Sequence, residues 1–302
     1  MSSSYTEWAW PWWTVIVLIN VVNLIVCTVV YKRSLDPRDG SDAAYRRRMR
    51  IMGVIFTLVA AYRAFFVSRY TPQLAWYDSL ANSSLLIRMF AVAAELSFSG
   101  LFALAMLRVN SDIPAAEDAH ANKFNLFMTT KSPYVLVLCI FLAQFFATSG
   151  LISKSQTLFA IEETLWTVGF LAVLPLAILQ LRRVYAIKGE EAVARVRMLR
   201  KSTVIVAAWC VFYCCYGLFY HLPFETWAGA LNQIETGLPV IKTGAGAITD
   251  AFFVVNESKE YSDWGFGFLL WHSAYFTICV WIAIFLMQAP RKMRLAIETS
   301  LT

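Results

Sequence analysis

Residues 85–107 read LLIRMFAVAAELSFSGLFALAML, a stretch of 23 mostly apolar residues that contains one arginine and one glutamate. A helix of about 20 apolar residues crosses the hydrocarbon core of a bilayer, which is roughly 30 Å thick. Comparable stretches occur near 9–30, 51–70, 134–152, 157–181, 203–222 and 264–287. The pattern predicts an all-α membrane protein that folds as a single seven-transmembrane-helix bundle over residues 1–302.

The overall composition supports the same class. The chain has 302 residues, of which 59% are apolar and 15% are charged, and its mean hydropathy is +0.56. An ordinary soluble domain is less apolar and more highly charged, so that class is excluded. We expect an integral membrane protein of the plasma membrane or of the endoplasmic reticulum and other endomembranes, with the lipid bilayer as its main partner.

Basic residues are distributed unevenly among the connections. Seven lysines and arginines lie in residues 32–50, three in 108–131, seven in 182–201 and three in 291–294, whereas the opposite connections hold only Lys154, Lys242 and Lys259. Positively charged connections stay in the cytoplasm during insertion. This bias predicts an exoplasmic N-terminus and a cytoplasmic C-terminus. It also accounts for the net charge of +6 without a nucleic-acid partner, although a cytoplasmic protein could bind the basic loops 32–50 and 182–201.

The longest connection between predicted spans, residues 223–263, is apolar at its centre. Connections of this length usually carry structure or function. We therefore expect an exoplasmic cap, formed by a short interfacial helix or a re-entrant segment over the mouth of the bundle. Asn-x-Ser sequons at Asn82 and Asn256 fall in predicted exoplasmic loops, which predicts a glycoprotein with Asn256 as the better acceptor.

Ionisable side chains inside the predicted spans are the most informative residues. Each costs roughly 2.5 kcal/mol or more unless it is paired or hydrated, so such residues usually mark function. They lie at similar depth in the predicted exoplasmic half. Together with Tyr216, the predicted ligand-binding residues are Arg63, Arg88, Glu95, Glu162, Glu163, His221 and His272. Arg69 is also predicted to lie in the second span.

Helix geometry indicates which of these residues share a face. Arg88 and Glu95 are seven residues apart, so they lie on one side of a helix and point into the same interior. Glu162 and Glu163 are adjacent and diverge by about 100°, so only one of them points at the bundle axis. The alternative to a ligand pocket is a network of buried Arg–Glu pairs that fixes the register of the helices.

Arginine, glutamate and histidine in a partly dry cavity permit several functions. Arginine binds carboxylate or phosphate through two parallel hydrogen bonds, so we expect a small polar molecule or a lipid head group to bind for sensing or transport. A lipid-modifying enzyme is an alternative, with Glu162 or Glu163 and His272 as acid–base groups and Arg63 holding an anion. A third hypothesis is that the chain is a non-catalytic subunit of a membrane complex.

Other site types are disfavoured by the sequence. The bundle holds only His221 and His272 on different spans, so no metal site is expected. No cofactor is expected either, since no predicted span contains a lysine for a retinal Schiff base. The third span ends Ala105-Met106-Leu107-Arg108-Val109, which lacks the acidic-Arg-aromatic triplet of the main family of G-protein-coupled receptors.

Overall fold

The computed structural model describes residues 9–35, 40–70, 73–113, 123–188 and 190–290. Six helices in this part of the chain are long and apolar enough to cross a membrane. With one further long helix, α2, the main helices are α1 Ala9–Ser34, α2 Ala43–Phe65, α3 Ser84–Asp112, α4 Ser132–Ser153, α5 Gln156–Ala186, α6 Arg197–Thr236 and α7 Phe266–Leu286. The prediction of a helical membrane protein is thus confirmed by its class of fold.

Helix α2 differs from the other six because it is less apolar. It carries four arginines in its first turns and Arg63 in its last turn. It packs between α1 and α3 and against the C-terminal part of α7. A Cβ atom placed on Gly53 of α2 would lie 2.6 Å from the Cβ atom of Met287, so the two helices meet there without room for a side chain.

The second predicted span ended at residue 70, and this boundary is wrong. The backbone N–H of Phe66 donates to the carbonyl oxygen of Tyr62 at 2.8 Å, and the helix stops at Phe65. The next residues form a short strand, β1 Ser68–Arg69. Arg69 is therefore a connecting residue rather than part of a helix, and it donates to the carbonyl oxygens of Asp263 and Trp264.

Two helices contain π-helical turns. In α6 the backbone is α-helical over Arg197–Tyr216, π-helical over Gly217–Thr226 and α-helical again over Trp227–Thr236. In α7 a π-helical turn spans Tyr275–Cys279. A π turn widens the helix and changes which residues face a neighbour, and such turns often occur at functional sites.

Residues 223–263, the cap segment, are folded. They contain the end of α6, a helix Gly244–Phe253, a strand β3 Asn256–Glu257 and a short helix Tyr261–Trp264. Strand β2 Leu74–Ala75 pairs antiparallel with β1 and parallel with β3, so this small sheet joins the cap segment to the α2–α3 connection. We call this the cap end of the bundle.

Salt bridges and hydrogen bonds attach the cap segment to the end of α4 and to the α2–α3 connection. Asp250 forms an ion pair with Lys154 at 2.9 Å and a second one with Lys242. Gln73 donates to the backbone oxygen of Asp250 at 2.9 Å. Burial alone raises the pKa of Asp250, but hydrogen bonds from the two lysines outweigh burial and hold that pKa below its usual value.

A tryptophan cluster lies beside the sheet. Trp13 of α1 stacks on Trp76, with ring centroids 5.6 Å apart, and Trp10 and Trp264 contact the same ring. Lys259 lies over the rings of Trp10 and Trp76. Trp76 and Trp264 are fully buried, so the start of α1, the α2–α3 connection and the start of α7 share one core.

The outer surface of the bundle is apolar. Leu18 and Ile25 of α1 are each 59% exposed, and Leu138 and Phe145 of α4 are 55% and 58% exposed. Soluble proteins rarely expose apolar surface of this extent, whereas lipid tails cover such surface in a membrane. The chain is therefore an integral membrane protein.

At the opposite end, which we call the basic end, arginines stabilise helix termini. Arg46 and Arg50 both donate to the carbonyl oxygen of Ser34 at the end of α1. Arg200 donates to the carbonyl oxygens of Val184 and Ile187 at the end of α5. Basic groups there complete the hydrogen bonding of the last carbonyls of a helix.

The two sequons differ in accessibility. Asn82 is 1% exposed, and its side-chain amide donates to the carbonyl oxygen of Val67 at 2.7 Å. A glycan on Asn82 is incompatible with this packing, which corrects that prediction. Asn256 is exposed in β3.

Candidate functional site

A cavity of about 420 Å³ lies at the cap end, between α2, α3, α5, α6 and α7. The predicted residues on its wall are Arg63, Arg88, Glu95, Glu162, Glu163, His221 and His272. The eighth predicted residue, Tyr216, lies on the wall of a neighbouring cavity of about 250 Å³. The structure thus brings seven of the eight residues to one space.

The two terminal nitrogens of Arg88 have polar partners on three helices. It donates to both carboxylate oxygens of Glu95, at 3.3 and 3.1 Å, and to the side-chain oxygen of Gln144 in α4. Glu162 of α5 lies 3.5 Å from the same guanidinium. All four residues are buried. This network joins α3, α4 and α5, and it corresponds to the register-fixing network that the sequence left open.

Arg63 has a different environment. Its guanidinium lies over the rings of Tyr275 and Phe276, at 5.6 and 5.5 Å from their centroids. No carboxylate of the described residues lies within ion-pairing distance of it. Arg63 is thus a cationic group on the cavity wall whose charge is not paired by a neighbouring carboxylate.

Glu162 and Glu163 point in different directions, as their adjacency predicts. Glu162 faces Arg88, whereas Glu163 accepts a hydrogen bond from the hydroxyl of Tyr213 at 3.3 Å. Glu163 also lies 3.4 Å from Nε2 of His221 in the π-helical turn of α6. Nδ1 of His221 contacts Glu225 at 2.5 Å.

These contacts form a chain of ionisable groups from the cavity wall toward the surface. The side chain of Glu163 is 27% exposed, that of His221 is 20% exposed and that of Glu225 is 43% exposed. The π turn places His221 between the two carboxylates. Titratable groups at these distances can exchange protons.

His272 does not pair with a glutamate of the described residues, so the partner of Glu163 there is not the histidine expected from sequence. It is 5% exposed and packs against the rings of Trp12, Phe268 and Phe276. The histidine that contacts Glu163 is His221. Because the partner of a side chain depends on helix rotation, the two histidines could not be distinguished by depth alone.

Several buried polar atoms on residues of the cavity wall lack a hydrogen-bond partner among the described residues. They are Oγ of Ser68, the hydroxyl of Tyr70, Nε of Arg88, Nε1 of Trp209, Nε2 of His272 and the hydroxyl of Tyr275. A buried polar group without a partner costs about 1–3 kcal/mol. Such groups seldom cluster in a folded protein, and each needs an explanation.

Four of these residues were not predicted as site residues: Ser68, Tyr70, Trp209 and Tyr275. Ser68 and Tyr70 lie in the α2–α3 connection, which the sequence assigned to a helix. Trp209 lies one turn before Tyr213 in α6 and reads as an ordinary core residue. For Tyr70, Trp209 and Tyr275, the sequence signal is an aromatic hydroxyl or indole group close to the ionisable residues.

The neighbouring cavity lies between α6 and α7 and is mainly aromatic and aliphatic. Glu225 is the only charged residue on its described wall. Tyr216 stacks on Trp271 across the two helices, with ring centroids 5.2 Å apart and planes within 8°. Four residues lie on the walls of both cavities: Trp209, Trp271, Tyr275 and Cys279.

No protein-family model matches the chain. No curated protein and no solved structure matches it either. A functional interpretation therefore depends on the geometry of the cavities.

Proposed function

We propose that the chain spans the membrane seven times, with α2 as the seventh span, an exoplasmic N-terminus and a cytoplasmic C-terminus. The packing of α2 between α1 and α3 supports the count. Arg46 and Arg50 at the start of α2 lie at the basic end, where both donate to the last carbonyl oxygen of α1. The excess of basic residues at that end supports the orientation.

Within this topology, the 420 Å³ cavity at the cap end binds a small polar molecule or a lipid head group, for sensing or transport. The observation that carries this proposal is the cluster of polar atoms on the cavity wall that lack hydrogen-bond partners among the described residues, next to the unpaired guanidinium of Arg63. A ligand with hydrogen-bonding groups would satisfy these atoms. The guanidinium indicates that the ligand carries an anionic group.

The different environments of Arg88 and Arg63 favour a ligand-binding site over a purely structural network of ion pairs. Arg88 is charge-paired with Glu95 and Glu162 and hydrogen-bonded to Gln144, as a structural residue would be. Arg63 lies on the cavity wall over the rings of Tyr275 and Phe276, and no carboxylate of the described residues lies within ion-pairing distance of it. A charge inside a membrane protein without an oppositely charged partner is costly, so its retention next to a cavity indicates a use for it.

The test is native mass spectrometry of the protein purified in nanodiscs, comparing the wild type with Arg63→Ala. We expect a bound small molecule in the wild type and its loss in Arg63→Ala. The matched control is Arg197→Ala, which removes an exposed arginine at the basic end and should retain the molecule. Equal occupancy in all three proteins, or no bound molecule in any of them, would contradict the proposal.

A second candidate function is acid–base catalysis on a lipid, and the Glu163–His221–Glu225 chain favours it. In this case His221, rather than His272, exchanges protons with Glu163. The discriminating measurement is turnover of a lipid extract as a function of pH. A bell-shaped profile that Glu163→Gln abolishes would support an enzyme, and absence of any product would leave the binding function.

A cytoplasmic protein partner at loops 32–50 and 182–201 remains a further proposal. Arg46, Arg50 and Arg200 stabilise helix ends, so a partner would bind the other basic residues of these loops. Exposed Arg197 and Lys201 are the first positions to substitute. Co-purification from cells at fixed stoichiometry, lost in Arg197→Glu/Lys201→Glu, would support a partner. Fractionation of the same cells would place the protein in the plasma membrane or the endoplasmic reticulum.

A further inference from the structure

We infer that the ligand is an anionic amphiphile with a single apolar chain, whose head group occupies the 420 Å³ cavity and whose chain lies in the neighbouring cavity between α6 and α7. This inference rests on the proposed binding function and names the class of ligand. It also gives the route of entry, which is lateral from the bilayer rather than through the cap segment.

The first argument is the continuity of the two cavities. Trp209, Trp271, Tyr275 and Cys279 line both of them. Two of these residues, Trp209 and Tyr275, carry buried polar atoms without a partner among the described residues. The polar groups therefore lie where an extended molecule would pass from the charged cavity to the apolar one.

The second argument is the division of chemistry between the cavities. The larger one holds Arg63 and the other ionisable residues, whereas the smaller one is lined by aromatic and aliphatic side chains and a single carboxylate, Glu225. An anionic head group fits the first space beside Arg63, which has no ion-pairing carboxylate among the described residues. An apolar chain fits the second, because burying apolar surface there removes it from water.

The third argument is the exposure of the outer wall of the smaller cavity. Phe212 and Tyr220 of α6 are 51% and 52% exposed, and Leu270 and Ile278 of α7 are 57% and 53% exposed. In an integral membrane protein these outward-facing apolar residues contact lipid tails. The cavity therefore opens between the two helices toward the hydrocarbon region, where an amphiphile is already dissolved.

The π-helical turns of α6 and α7 occur beside this opening. Tyr275 and Cys279 of the turn in α7 line both cavities, and Tyr220 and Glu225 of the turn in α6 line the smaller one. Because a π turn widens a helix, the two turns interrupt the close packing of α6 against α7 beside the smaller cavity. The space between them can accept a chain.

Gly267 of α7 offers a precise test of the smaller cavity. It lies on the wall, and a Cβ atom placed on it would meet nothing within 4 Å. Gly267→Leu therefore fills the space without a clash at the backbone. Gly246 in the cap segment is equally unobstructed and lies on neither of these walls, so Gly246→Leu is the matched control.

The experiment uses the full chain in phosphatidylcholine nanodiscs and two probes, a diazirine-bearing palmitic acid for photolabelling and butyric acid as a competitor without a long chain. We expect saturable labelling of peptides from α6 and α7. Gly267→Leu should weaken it by about tenfold, equivalent to roughly two buried methylene groups, whereas Gly246→Leu should match the wild type. Arg63→Ala should weaken it by about 10- to 100-fold, as expected for a hydrogen bond to a charged group.

The outcomes separate this inference from the proposed function. One outcome is that butyric acid competes as well as palmitic acid does, with binding that depends on Arg63 and is unaffected by Gly267→Leu. In that case the assignment of an amphiphilic ligand is wrong, but the proposed polar binding site stands. Labelling spread evenly over the outer helix faces indicates bulk lipid and overturns the inference. If neither acid shows saturable binding that depends on Arg63, both the inference and an anion site at Arg63 fail. The thermal midpoint of Gly267→Leu establishes that the variant is folded.

Discussion

The guanidinium of Arg88 donates hydrogen bonds to both carboxylate oxygens of Glu95, two turns further along the same helix, at 3.3 and 3.1 Å. Glu162 from α5 and Gln144 from α4 complete its environment. Only a short distance along the cavity wall, Arg63 faces aromatic rings instead of carboxylates. Two arginines on one wall thus have different environments, which support a role in stability for Arg88 and the proposed role in ligand binding for Arg63.

Replacement of Arg88 by alanine should strongly destabilise the protein. It leaves Glu95 and Glu162 buried without a cation, and breaking a buried ion pair in this way costs about 3–5 kcal/mol. We expect a large drop in the thermal midpoint of the detergent-solubilised protein. Arg63→Ala is the comparison and should lower the midpoint much less, since no carboxylate of the described residues pairs with it. Equal losses in both variants would show that the two arginines form one structural network.

Replacement of Gly53 by alanine should disturb the contact between α2 and α7. The new Cβ atom would lie 2.6 Å from the Cβ atom and 2.9 Å from the sulfur of Met287, so one helix has to move. Overpacking of this kind costs about 1–3 kcal/mol. Gly246→Ala, whose Cβ atom would meet nothing within 4 Å, is the control. A thermal midpoint unchanged in both variants would mean that α2 does not pack tightly on α7.

On the acidic side of neutrality, attachment of the cap segment should depend on the protonation of Asp250. The pKa of Asp250 is lowered in the folded protein, so its ion pairs contribute stability above the usual aspartate pKa of about 3.9, and that contribution is lost as the pH falls through the lower folded value. Hydrogen-exchange protection factors of residues 244–253 should agree at pH 7 and pH 5 and fall below about pH 3.9. In Asp250→Asn this dependence should disappear, and a transition persisting in that variant would assign it to another group.

The proposed orientation predicts which end of the bundle faces the cell exterior. Ala245 in the cap segment and Lys188 at the basic end are both exposed, so each can be replaced by cysteine. On intact cells expressing the protein at the plasma membrane, a membrane-impermeant maleimide should label Ala245→Cys and not Lys188→Cys. Permeabilised cells should label both. The reverse pattern on intact cells would invert the topology.

Part of the site follows directly from the sequence. The seven-residue spacing of Arg88 and Glu95 predicts a shared face, and their hydrogen bonds confirm it. The divergence of Glu162 and Glu163 is also confirmed, since one contacts Arg88 and the other Tyr213. These relationships depend only on the geometry of a single helix. The apolar stretches likewise predicted the helical membrane class.

Relationships between helices could not be obtained in this way. His221 meets Glu163 because a π turn rotates that part of α6, and no periodicity in the sequence indicates the turn. Arg69 was assigned to a helix because residues 66–70 continue an apolar stretch, yet pairing with β2 holds it in a strand. At such positions, pairing between strands that are distant in sequence determines the backbone conformation, and the local apolar pattern does not.

The small sheet at the cap end can form only after most of the chain has been synthesised. Arg69 hydrogen-bonds to Asp263, 194 residues later in the chain. At a synthesis rate of about 5–20 residues per second, the α2–α3 connection waits roughly 10–40 s after its own synthesis before that partner exists. Until then, β2 presents an unpaired edge. Ribosome-bound chains that end before β3 should therefore be the forms most dependent on chaperones at this surface.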